Sequence, residues 1–111
     1  MAKEYKILGN VAGSGNLATY STLYNSPSLT SAVISTITIC NQTGAAITYR
    51  LGIASSATDP SSSEFLGYGA TVAANDTIAL TLGITLQAGK FLRVSTSSSS
   101  VSVIAFGTEL T

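Results

Sequence analysis

The side chains able to transfer protons, attack a carbonyl or hold a metal are few in this sequence, and they are scattered. There is no histidine, one cysteine (Cys40) and five acids: Glu4, Asp59, Glu64, Asp76 and Glu109. The missing histidine removes the commonest general base and the commonest metal ligand. A Ser–His–Asp or Cys–His device therefore cannot be built within the chain. Asp59 and Glu64 flank a polar loop where two carboxylates could share a cation. A hard-ion site shows a denser run of oxygen donors than this, so no metal is expected there. With no constellation of catalytic type and no cofactor motif in context, the expectation is a non-enzymatic protein with no cofactor.

Three short motifs have duller explanations than the chemistry they suggest. "GSGNLA" (13–18) fits the loose G-x-G-x-x-[GA] fingerprint. That device needs a helix N-terminus directly after it to hold a pyrophosphate, whereas "LATYSTLY" (17–24) is a β-type run. Asn41-Gln42-Thr43 and Asn75-Asp76-Thr77 match N-x-[ST], but turn chemistry explains both. Cys40 ends an apolar run and is expected to be a small buried hydrophobe. The tyrosines remain: Tyr49 shares the parity of Ile47 and Leu51 and belongs to the core. Tyr5, Tyr20 and Tyr24 lie in the less regular N-terminal third and are the candidate interface residues, because tyrosine is enriched where proteins meet.

The elements that must position these residues are strands. In "NDTIALTLGITLQAGKF" (75–91), Ile78, Leu80, Leu82, Ile84 and Leu86 fall on one side and Thr77, Ala79, Thr81, Gly83 and Thr85 on the other. Period-two alternation marks a strand with one face in a core. Similar pieces are expected at 4–8, 17–25, 30–42, 46–54, 64–72, 91–96 and 100–108, separated by Gly-, Ser- and Asn-rich turns. The 30–42 and 46–54 strands read as a hairpin about "QTGAA", and 55–63 is the longest loop. No apolar stretch has a helical period. About eight short strands argue for an all-β fold, an antiparallel β-sandwich of jelly-roll type. The expected division is an N-terminal arm or first strand over 1–16 and a single sandwich domain over 17–111.

Composition narrows function. The chain has 111 residues, of which 45% are hydrophobic and only 9% charged, and its net charge is zero. Soluble domains average about 25% charged residues. The exterior must then be Ser, Thr, Asn, Gly and Ala, a surface poorly guarded against association. The five basic residues are dispersed, and Lys90 with Arg93 suits a solvated strand edge, so nucleic acid is not an expected partner. No apolar run approaches the ~20 residues of a membrane helix. The opening "MAKEYKILGN" lacks an apolar h-region, so the expectation is synthesis in a cytoplasm without classical secretion, and no membrane partner.

Residues 23–54 and 74–110 carry a pattern. Tyr24, Pro27, Thr30 and Ser31 open a strand that ends in Cys40-Asn41, and Arg50 lies near the centre of the next. Asn75-Asp76-Thr77, Gly83, Gly89 and a last strand containing Phe106-Gly107 complete it. Over about 18–110 this resembles small virion proteins of tailed phages, particularly those infecting cyanobacteria and related marine bacteria. The resemblance implies a capsid decoration (cement) protein located in the virion. Its partners would be the major capsid protein and further copies of itself, with a trimer as the candidate oligomer. The alternative it implies is a tail, neck or baseplate/fibre module, with tail proteins as partners and host glycans as a ligand. Against a glycan site stands the absence of tryptophan.

Overall fold

A computed structural model describes residues 5–81 and 83–110. Nine strands account for its regular structure: β1 (Tyr5–Ala12), β2 (Ser21–Asn25), β3 (Ser31–Asn41), β4 (Ile47–Ala54), β5 (Phe65–Val72), β6 (Thr77–Leu80), β7 (Ile84–Leu86), β8 (Phe91–Thr96) and β9 (Val101–Leu110). They form two antiparallel sheets. Sheet A runs β1-β9-β3-β6, with β7 also paired to β3, and sheet B runs β2-β8-β4-β5. β6 and β7 lie one after the other along the same edge of β3, so they count as one interrupted strand and each sheet is four strands wide. Only the β4–β5 and β6–β7 connections stay within a sheet; every other one crosses the sandwich. That strand order is a jelly roll.

The core lies between the sheets and obeys the alternation. Ile34, Ile37, Ile39, Val103 and Ala105 from sheet A meet Leu51, Leu92, Val94 and Tyr49 from sheet B, all nearly inaccessible to solvent. β3 is the longest strand, and its burial pattern changes phase at Ser35-Thr36. The register against β9 slips by one residue at the same place, between Ile34 and Thr36. A bulge there re-aims the strand so that both halves keep their aliphatics inward.

Four expectations are corrected. The 75–91 strand is interrupted: Leu80 pairs with Ile37 and Ile84 with Ile34, so this strand has one more residue than β3 opposite it, and Gly83 takes a positive φ of 62°. Its facing is as expected, with Ile84 and Leu86 buried and Ile78 and Leu80 packed on the core, while Leu82 lies outside the described residues. The 30–42/46–54 hairpin is absent, because β3 and β4 belong to different sheets. Buried Asn41 is the reason. Its Nδ2 donates to the carbonyls of Ala45 (2.8 Å) and Ala73 (3.0 Å), and its Oδ1 accepts from the Thr43 amide (3.0 Å). These bonds turn the chain across the sandwich instead of back along β3. Cys40 points outward, opposite in parity to Ile39, and is half-buried. Arg93 is not on an edge: β8 lies between β2 and β4.

Within the N-terminal segment, residues 5–12 pair with β9 from Tyr5↔Thr108 to Ala12↔Ser102. Residues 1–4 lie outside the described residues. Among the described residues no helix is long and apolar enough to cross a membrane.

Candidate functional site

The two outer faces of the sandwich differ in kind. On sheet A the outward residues are set by register: Ala12–Ser102–Cys40–Thr77, Asn10–Ile104–Thr38–Ala79, Ile7–Phe106–Thr36 and Tyr5–Thr108–Val33–Thr85. None of these is charged. Ile7 is 59% exposed and Tyr5 65%, while Ile104 and Phe106 are half-buried beside them. Tyr5 reaches across the face, and its hydroxyl shares a hydrogen bond with Ser35 at the β3 bulge. The charged pair at this end, Lys6 and Glu109 (2.9 Å), belongs to the rim between the sheets.

That rim also takes Tyr24. The residue is 8% exposed, and its hydroxyl donates to Glu109 Oε2 at 2.5 Å. Burial, and then the neighbouring carboxylate, push the Tyr24 phenol well above its ordinary pKa. Tyr24 and then Lys6 hold the Glu109 carboxyl below the usual carboxylate range. Tyr49 is buried as expected, which raises its phenol too.

Sheet B carries both arginines of the chain on its outer face, Arg93 on β8 and Arg50 on β4. Arg50 stands opposite Tyr68 in register, and its guanidinium carbon sits 4.2 Å from the centroid of that ring. Phe65 meets Tyr68 edge-on at 4.8 Å, and Tyr20 lies 6.0 Å from Phe65. Tyr20 beside it keeps the Arg50 guanidinium pKa above its ordinary value, and Arg50 Nη1 donates to the Leu17 carbonyl (3.4 Å). Arg93 donates to Thr22 Oγ1 (2.5 Å) and the Tyr20 carbonyl (3.3 Å), and lies 3.9 Å from Asp59. Tyr20, Arg50, Asp59, Phe65 and Tyr68 line a groove of about 560 Å³ with Pro60 and Ser62.

Two local features build the groove. Phe65 and Tyr68 are three apart, so plain alternation would send them to opposite faces. β5 has an extra residue at Leu66, between the Leu51↔Gly67 and Gly52↔Phe65 pairs, and that bulge brings both rings outward. The 55–64 loop then folds back onto the sheet. A side chain at Gly52 would meet Pro60 at 2.9 Å and the Glu64 carbonyl at 3.0 Å, so glycine is what lets the loop lie down. The Ile53 amide donates to the Glu64 carbonyl (3.1 Å), and Glu64 Oε1 accepts from the Ser61 amide (2.8 Å).

The three candidate interface tyrosines therefore sit in three places: Tyr5 on the face of sheet A, Tyr20 in the groove of sheet B, and Tyr24 in the rim. The structure does not bring them together. Sequence reasoning missed Arg50, Phe65 and Tyr68 as a cluster; the only hint was the glycine-broken stretch "FLGYGA", where a bulge is cheap. Among the described residues no three His, Cys, Asp or Glu side chains gather as a metal site.

The fold thus defines an all-β jelly-roll sandwich. Solved structures of the same shape come from virus particles. One is a chain of the T13 IBDV viral particle, with a TM-score of 0.55 and 9% identity over 97% of this chain. Another is a chain of the infectious bursal disease virus Gx strain, with a TM-score of 0.51 and 12% identity over 95% of this chain. The chain spans about a third of the length of each, 30% and 32% respectively. At such identities the likeness is one of fold. No family model matches the sequence, and no curated protein matches it.

Proposed function

We propose that the chain is a structural protein of a phage virion, and specifically a capsid decoration (cement) subunit that binds the outer shell and stabilises it by protein–protein contact. The observation that carries this reading is the charge-free outer face of sheet A. The centres of protein interfaces are depleted of charge and enriched in aromatic and apolar groups; this face lacks charge across the width of the sheet and carries Tyr5, Ile7, Ile104 and Phe106 together on its β1–β9 side. The jelly-roll likeness to virus-particle chains supports the virion context. The mechanism needs no reaction: each copy buries apolar and backbone surface on the shell, and many copies add small energies across the lattice. A homo-oligomer, with a trimer at local three-fold points, fits a face whose β1 edge has no strand partner among the described residues.

The test is reconstitution. Shells lacking the chain are incubated with the purified protein and sedimented. Co-sedimentation that survives raised NaCl is expected, because an uncharged contact is little screened. Release by moderate salt, or no co-sedimentation, would contradict the reading. The groove on sheet B favours a second reading, a tail, neck or baseplate/fibre module that touches host glycans. Binding of the protein to tail assemblies and not to shells would decide for it.

A further inference from the structure

We infer that the groove over β4 and β5 is a binding site for a neutral carbohydrate. The inference rests on treating this groove as a ligand site and is independent of which surface of the particle the chain occupies. Its volume, about 560 Å³, suits one or two sugar rings. Tyr68 is 63% exposed although it is fixed in place, edge-on against Phe65 and beneath Arg50. A large ring held rigid and left open on an edge strand is a platform that costs little conformational entropy to use. Arg50 covers one face of the ring, so the opposite, electron-rich face is the one to attract the C–H face of a pyranose, which is apolar and slightly positive.

The polar groups around the platform choose among ligands. Arg50 offers donors, Asp59 offers a carboxylate that is 62% exposed, and the Tyr20 hydroxyl serves as donor or acceptor. A phosphate or other anion would be attracted by Arg50 but repelled by the exposed carboxylate of Asp59; Arg93, 3.9 Å from Asp59, is only 12% exposed and already donates to Thr22 and the Tyr20 carbonyl. A lysine or other cation would meet the reverse. Vicinal hydroxyls, each both donor and acceptor, satisfy the two charges together without adding one of their own. Pro60, pinned over Gly52, holds Asp59 beside the rings. A peptide strand added to the open β5 edge would use backbone bonds instead, and it would not need Asp59.

The experiment is saturation-transfer NMR and calorimetry on the isolated full chain, with a panel of neutral gluco-, galacto-, manno- and N-acetylglucosamine oligosaccharides. At least one is expected to bind, with transfer to its ring C–H protons and little dependence on NaCl. Tyr68→Ala is expected to weaken it by about tenfold or more, and Asp59→Asn by a similar factor, the loss of one or two good contacts. Both side chains are exposed, so both variants should retain the wild-type melting temperature; if one does not fold, the other still decides. No binding across the panel, binding unmoved by both variants, or a preference for acidic glycans would overturn the assignment. Shell co-sedimentation of Tyr68→Ala is read in parallel: its retention together with lost sugar binding separates this site from the attachment face.

Discussion

Tyr24, Glu109 and Lys6 form the most consequential polar chain in the molecule, because they tie β2, β9 and β1 together where the two sheets meet. A hydrogen bond to a charged acceptor contributes about 1.5–3 kcal/mol when partly buried. Tyr24→Phe deletes the donor but leaves Glu109 its lysine, so a loss of about 1–2 kcal/mol is expected in urea unfolding. The pH dependence has a definite sign. Glu109 is depressed in the folded state, so its contribution is present above the unfolded carboxylate pKa of about 4.3 and is lost as pH falls through the lower folded value. Tyr24 is raised, so its contribution is full below about pH 10 and is lost as pH rises beyond it. The wild-type advantage over Tyr24→Phe should therefore shrink at both ends. A constant difference from pH 3 to pH 7 would show that the bond does not set the Glu109 titration.

At the scale of elements, the 55–64 loop is held by a contact that only glycine permits. Gly52→Ala puts a methyl group within 2.9 Å of Pro60 and 3.0 Å of the Glu64 carbonyl, and the loop must lift. Overpacking of this kind costs about 1–3 kcal/mol. The expected result is a lower melting temperature together with faster proteolytic cleavage within 55–64; an unchanged cleavage pattern would mean the loop is not held by Pro60. Much of this architecture was legible in the sequence. Alternation at 46–54, 75–91 and 100–108 marks the strands and their inward faces, because one side of each is buried. Alternation carries no information about partners, which is why β3 and β4 read as a hairpin although Asn41 sends the chain to the other sheet. It also fails wherever a residue is inserted. The bulges at Ser35 and Leu66 shift parity, and the second of these assembles the groove from residues that pattern reading places on opposite faces.

The whole molecule is two-faced: an uncharged outer surface on sheet A and an arginine–aromatic surface on sheet B. This separation is only half visible in the sequence. Low charge predicts an association-prone exterior, but the topology decides that both arginines share one sheet and that the other has none. Thr38, between Ile104 and Ala79 near the middle of sheet A, is the place to test it. Thr38→Lys should fold with a change of about 1 kcal/mol or less, the span of strand propensities. It should also lose co-sedimentation with shells and any self-association seen by ultracentrifugation, since an unpaired charge would be desolvated in the contact. Full attachment by Thr38→Lys would move the docking surface elsewhere. The most direct test of a shell-binding role is quantitative mass spectrometry of purified particles, comparing the copy number of this chain with that of the major capsid protein. A ratio near one, or not far below it, is the predicted result for a subunit spread over the lattice; a ratio of a few per cent, or absence from the particle, would contradict it.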